Sequence, residues 1–206
     1  MPMNRRHLML GAGSVALAGT GLITPAMAQA ADPRMADRAV GKADAKVTVI
    51  EYFSLTCPHC AAFHRTTYPQ VKKELIDTGK IRFVFRDFPL DQLALAGAMV
   101  ARALPADRYE GFVGVLLGSQ DRWAFNRNVN NMEEIAKLAA LAGMSRPDFE
   151  KTIGDDGLRR AILEGRLKAE QTDKVDATPT FLFNGNKQSG ELSYDRFAEL
   201  VAKAGG

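Results

Sequence analysis

The spacing of apolar positions changes several times along the chain and marks out its elements. From Val47 to Phe53 (VTVIEYF) the step is two: Val47, Val49, Glu51 and Phe53 share one face, and Thr48, Ile50 and Tyr52 share the other. β-Branched and aromatic residues dominate, so the segment reads as a strand. Both faces are largely apolar, which predicts a central strand covered on both sides. A helix is expected from Cys57-Pro58 to about Asp77-Thr78, kinked at Pro69 and ended by Gly79. Lys80 to Phe88 (KIRFVFRDF) alternates again and reads as a second strand. Between Asp91 and Lys174 the period is helical, with helices expected at Asp91–Leu104, Asp107–Leu117, Asn131–Ala142, Arg146–Ile153 and Gly157–Lys174. Strand character resumes over Thr178–Phe183. Asn184-Gly185 signals a hairpin turn, a short strand is expected near Lys187–Ser189, and Ser193 caps a helix running to Ala204. The order predicts an α/β domain over residues 47–90 and 175–206, interrupted by an all-helical insertion over residues 91–174. Residues 29–46 are small and polar and read as a lead-in segment.

The first 28 residues are patterned differently. Arg5-Arg6 precede an apolar stretch, Leu8 to Ile23, diluted by Gly11, Gly13, Gly19 and Gly21. Pro25 and Ala26-Met27-Ala28-Gln29-Ala30 follow, and no acidic residue occurs before Asp32. A positive start, an apolar middle and small residues at a cleavage point make an export signal. The paired arginines resemble a twin-arginine leader, with Asn4 where Ser or Thr is usual; general secretion is the alternative. Either route predicts a periplasmic protein cut after Ala28 or Ala30. The absence of a cysteine near the cut argues against a lipid anchor.

Composition narrows the classes further. At 206 residues, 46% hydrophobic and 25% charged, the chain fits a globular domain rather than a disordered one. Losing Arg5 and Arg6 with the leader takes two positive charges off the formal +3, leaving +1. Such a domain has no long-range field to draw in nucleic acid. Two cysteines exclude a multi-bridge scaffold and a four-thiolate metal site.

The two cysteines stand in Thr56-Cys57-Pro58-His59-Cys60. Pro58 suits the first helical position, where its missing N–H costs nothing. Cys57 is then the N-cap, facing the free N–H groups of His59 and Cys60 and the positive end of the helix. An ordinary cysteine is only about 3% thiolate at pH 7, and a helix N-terminus with a nearby cation raises that fraction. His59 is the candidate cation. Cys60, three residues on, lies near the same face, so a short disulfide can close. Stabilising the Cys57 thiolate stabilises the reduced form and makes the disulfide more oxidising. Two other uses of the pair stand beside this one. A four-residue staple contributes only about 2 kcal/mol in the chain-entropy account. A copper site could draw on Cys57, Cys60 and His64, although no metal role is assigned here. Haem attachment fails because Ala61 follows Cys60.

Glu51-Tyr52-Phe53-Ser54-Leu55-Thr56-Cys57-Pro58-His59-Cys60 resembles the active-site segment of DsbA-like periplasmic thiol-disulfide oxidoreductases in the thioredoxin superfamily. Thr178-Pro179 is similar to the loop whose cis-proline faces the disulfide in that superfamily, and Arg86-Asp87-Phe88-Pro89 is similar to DsbA-like sequences. The resemblance runs through the mature chain. It implies a thioredoxin-like fold with an inserted helical domain, Cys57 as exposed nucleophile and Cys60 as buried partner. It also implies Thr178 beside cis-Pro179 as the binding site for substrate backbone. Glu51 becomes the acid beneath the disulfide that tunes thiol ionisation, together with Pro58 and His59 between the sulfurs. His64 and Arg65 stand where relatives often carry acids, which would make the helix face near the site more positive.

The expected function is a dithiol oxidase that introduces disulfides into reduced exported proteins. The Cys57–Cys60 couple is its redox group, with no other cofactor, and a quinone-linked membrane thiol oxidase recycles it. About fifteen polar residues between the leader and the first strand are too few for the dimerisation region of isomerase-type relatives, so a monomer is expected. A reductase or isomerase on the same fold is the alternative, followed by a copper-binding or chaperone-like protein.

Overall fold

The computed structural model describes residues 32–205. The expected leader over residues 1–28, with Arg5 and Arg6, lies outside the described residues. A five-stranded sheet is built from β1 (Arg38–Val40), β2 (Val47–Phe53), β3 (Ile81–Asp87), β4 (Thr180–Phe183) and β5 (Asn186–Ser189) in the order β1-β3-β2-β4-β5. β2 pairs parallel with β3, and the other pairs are antiparallel. β2 takes the central place its two apolar faces require.

The lead-in segment departs from expectation: Arg38–Val40 forms an edge strand against Phe83–Phe85. Three residues are too few for a periodic signal, and their pairing is supplied by the long strand beside them. The hairpin between β4 and β5 turns at Asn184 (φ 45°) and Gly185 (φ 88°), the two left-handed positions that Asn-Gly supplies at least cost.

The helix after β2 comes in pieces. α1 (Pro58–Thr66) stops one residue before α2 (Tyr68–Val71), and the chain then widens into a π-turn over Lys72–Ile76. Pro69 carries no N–H and the break falls just ahead of it. Six helices lie between β3 and β4: α3 (Gln92–Ala103), α4 (Ala106–Gly118), α5 (Gln120–Trp123), α6 (Asn131–Leu141), α7 (Arg146–Ile153) and α8 (Asp156–Thr172). The short α5 falls between the helices expected at Asp107–Leu117 and Asn131–Ala142. Its Trp123 is fully buried, and its indole N–H donates to Leu116 O at 2.7 Å, so packing rather than periodicity makes it helical. α9 (Tyr194–Gly205) follows the hairpin, and Arg196 N–H bonds the Ser193 hydroxyl at its start.

The faces of β2 sort the core. Val49, Phe53, Phe83, Phe85, Phe181 and Phe183 point to the side covered by Phe63 of α1 and Phe197 of α9. The same cluster continues into the helical block through Met99, Phe112, Val113 and Trp123. The opposite face holds Tyr52 and Leu182 against Phe88, Val175 and Ala169 of α8. Burying each large apolar side chain contributes about 1.5–3 kcal/mol. Met99, Phe112 and Trp123 are core residues, whereas Phe125 is exposed.

Candidate active site

The end of β2 delivers Ser54-Leu55-Thr56 to the start of α1, and several bonds fix this loop. Cys57 N–H donates to Ser54 O (3.1 Å). The Gln120 side-chain amide donates to Leu55 O (2.7 Å) and Cys57 O (3.0 Å). The Thr56 hydroxyl donates to Asp91 (2.6 Å), whose other oxygen caps α3 through Ala94 N–H (2.7 Å). From below, α3 presses closely enough that a Cβ on Gly97 would meet Leu55 at 2.8 Å. Gln120 and Asp91 carry no chemical signature in the sequence, and only the fold brings them to the loop.

Pro58 opens α1, and Cys57 is its N-cap with extended backbone (φ −81°, ψ 120°), as the spacing requires. The sulfur departs from expectation. It makes no capping hydrogen bond, and the thiol donates instead to Thr178 O at 3.2 Å. Both cysteines are free thiols here. Cys60 is 0% exposed and Cys57 only 5%, so the expectation of an exposed nucleophile is corrected: the Thr178 loop covers the sulfur. His59, between them, is open, with a side chain 74% exposed and Nδ1 3.3 Å from Glu191.

The two sulfurs ionise in opposite directions. The Cys60 thiol beside it, then Thr178 and the N–H groups of Cys60 and His59, hold the Cys57 thiolate down to about 5 against the cost of burial. Burial pushes Cys60 well up, helped by its bond to Cys57 and by the negative charge of Glu51. The pair is thus one ready thiolate and one held thiol.

Glu51 lies on the phenylalanine face of β2, level with Phe85 on β3 and Phe181 on β4. It is 0% exposed, and Oε2 is 2.8 Å from His64 Nε2. The sequence places His64 with Arg65 on a positive helix face. Instead its side chain is 5% exposed and turned inward to Glu51. That turn also removes it from the copper arrangement with Cys57 and Cys60; among the described residues no group of three or more His, Cys, Asp or Glu could hold a metal ion.

Thr178-Pro179 is a cis peptide, and Thr178 faces Cys57 from the loop before β4. A groove of about 770 Å³ runs along it, lined also by His59, Thr67, Glu191, Leu192 and Tyr194. The Cys57 thiol bonds the Thr178 carbonyl instead of the Thr178 hydroxyl, which is buried with no hydrogen-bond partner among the described residues. Replacing it in Thr178→Val removes a group that favours the Cys57 thiolate, and a hydrogen bond to a charged group is worth about 1.5–3 kcal/mol. The midpoint of Cys57 alkylation against pH is expected to rise by about one unit. An unmoved midpoint would show the hydroxyl to be idle.

The thioredoxin family model matches residues 34–203. The chain belongs to the thioredoxin family, among its DsbA-like members. Over 169 residues it is 31% identical to a provisionally named protein-disulfide oxidoreductase of Rickettsia felis, covering 82% of this chain and 60% of that one. It therefore spans about 60% of the length of that Rickettsia relative. Disulfide bond formation protein D of Bacillus subtilis is 41% identical over 175 residues, covering 80% of this chain and 75% of that one. The crystal structure of Wolbachia pipientis alpha-DsbA1 superposes with a TM-score of 0.77 at 29% identity, over 84% of this chain and 92% of the other. The DsbA-like fold with helices between its strands is therefore the one observed, and in it the resemblance's site residues Cys57, Cys60, Thr178, Pro179 and Glu51 gather at one end of the sheet.

Proposed function

We propose that this DsbA-like chain is a thiol-disulfide oxidoreductase that works as a dithiol oxidase on exported proteins. The observation that carries the reading is the placement of Cys57 at the N-cap of α1 against Thr178, with Cys60 wholly buried beneath it, which drives the two sulfurs to ionise in opposite directions. A thiolate held near 5 favours the reduced enzyme, so the Cys57–Cys60 disulfide is a strong acceptor and Cys57 a good leaving group. A substrate thiolate attacks Cys57, the Cys57–Cys60 bond breaks, and its electron pair leaves on Cys60. A second substrate thiolate then attacks the substrate sulfur, and Cys57 departs as thiolate. The groove along Thr178 offers the substrate backbone a seat beside the sulfur.

The leader pattern of residues 1–28 supports export to the periplasm, and no helix of the described residues is long and apolar enough to cross a membrane. A quinone-linked membrane thiol oxidase is the proposed recycling partner, and the working unit is a monomer.

Equilibrating the protein with glutathione buffers tests the direction of exchange. A reduction potential on the oxidising side of about −180 mV is expected. A value near the thioredoxin end, about −270 mV, would overturn the oxidase reading in favour of a reductase.

A further inference from the structure

The groove along Thr178 carries little charge, and that charge is held in place. Apart from apolar and hydroxyl side chains, the described residues that line it offer one imidazole, His59, and one carboxylate, Glu191. No Lys or Arg is among them. The Tyr194 hydroxyl is taken by Glu74 (2.7 Å). Asp176, next to the lining residue Ala177, is paired with Lys187 (3.5 Å).

Glu191 stands in the connection between the end of β5 at Ser189 and the start of α9 at Tyr194. Bonds on either side of it tie that connection down. Gly190 turns at φ 95°, a conformation that suits glycine, and its N–H donates to Pro179 O (2.8 Å), the proline of the cis peptide. Leu192 O accepts from the Thr67 hydroxyl (2.8 Å) in a buried bond at the break between α1 and α2. The carboxylate is therefore fixed beside the loop that covers the Cys57 sulfur. Its own partner holds it weakly. Glu191 Oε2 is 3.3 Å from His59 Nδ1, and the two side chains are 36% and 74% exposed. So open a pair contributes little, and a better cation can displace it. A guanidinium offers a carboxylate two parallel donors where the imidazole offers one.

We propose that Glu191 selects clients with a lysine or arginine close to the cysteine that attacks Cys57, the client's cation replacing His59 on the carboxylate. The inference rests on the exchange reading above and narrows its substrate class. A reduced, extended segment with a basic residue near its thiol is favoured over one with an acidic residue there. Glu191 takes no part in the bonds made or broken: the client dithiol is oxidised and the Cys57–Cys60 disulfide is reduced, as before. A basic neighbour also raises the client's own thiolate fraction whatever enzyme it meets, so the test must compare enzyme variants and not peptides alone.

The test uses the oxidised protein and extended peptides with two cysteines. An Arg or a Glu is scanned through the three positions on either side of the first cysteine. Oxidation is followed by mass spectrometry and expressed as the ratio of kcat/KM for the Arg and Glu peptides. Any change in Cys57 reactivity then cancels within each variant. At one position or more, the wild-type ratio should exceed that of Glu191→Gln by about fivefold, the scale of a partly exposed charge pair. Glu191→Lys should push the ratio below that of Glu191→Gln. The gap between wild type and Glu191→Gln should close in about 1 M salt, where screening acts within about 3 Å. His59→Ala, which frees the carboxylate, should raise the ratio above wild type. Equal ratios in wild type and Glu191→Gln at every position would overturn the selection. A ratio in His59→Ala no higher than in wild type would overturn the displacement of His59. If Glu191→Lys disturbs the loop, Glu191→Gln and the salt dependence still decide. A wild-type protein that oxidises none of the peptides would overturn the exchange reading itself, whereas one that oxidises them all with the ratios of Glu191→Gln overturns the role of Glu191 alone.

Discussion

Iodoacetamide should alkylate Cys57 of the reduced protein with a half-maximal rate near pH 5, where an ordinary cysteine needs about 8.5. The stability of the reduced form should follow the same group. Its folded value is depressed, so the thiolate contributes stability fully above the unfolded value. The contribution shrinks as pH falls and is gone below about 5. Cys60 adds nothing in that window, because its folded value is raised and it is a neutral thiol in both states. The reduced protein should therefore melt above the oxidised one at pH 7, with the gap closing as pH falls towards 4. Cys57→Ala should lose disulfide transfer entirely, while Cys60→Ala should still trap mixed disulfides at Cys57. An alkylation midpoint near 8.5 would remove the basis for the oxidase reading.

The parts of this site differ in how far sequence exposes them. Cys57, Pro58 and Cys60 were legible because helix capping and a three-residue spacing are local rules that hold wherever a strand meets a helix. β2 was legible for a similar reason: an unbroken seven-residue alternation leaves little choice of structure. Pro179 needed the family resemblance, since nothing local sets its peptide cis. His64 was misread because its partner lies thirteen residues back, on another element. A helix-period pattern reports that one face is buried, not which polar residue on that face has found a carboxylate. Gln120 and Asp91 were invisible for the same reason. Each bonds a loop 35 or more residues away in sequence, and each belongs to a residue type common at surfaces.

Removing Arg102 should cost the protein about 3–5 kcal/mol, the price of leaving a buried carboxylate alone. Its guanidinium meets Asp87 at 2.6 Å with both side chains almost wholly buried, and the Tyr109 hydroxyl donates to the other Asp87 oxygen at 2.9 Å. The same guanidinium donates to Ala36 O (2.8 Å) and Arg34 O (3.2 Å), and Arg38 returns a bond to Arg102 O (3.0 Å). One cluster thus joins the end of β3, helices α3 and α4 and the lead-in segment. Arg102→Ala and Asp87→Ala should each lower the urea midpoint by about 2 M. The paired change Arg102→Met with Asp87→Leu should recover much of that loss, because no charge is then left unpaired. A loss below about 1 kcal/mol in both single variants would show the cluster to be solvated rather than buried. Folded variants should also show a displaced Cys57 alkylation midpoint, because the loop that carries the sulfur is tied to α3, the helix of Arg102. What they should lose is the fixed step from β3 into α3. That step carries Asp91 to Thr56, and through it the helical block holds the loop that presents Cys57.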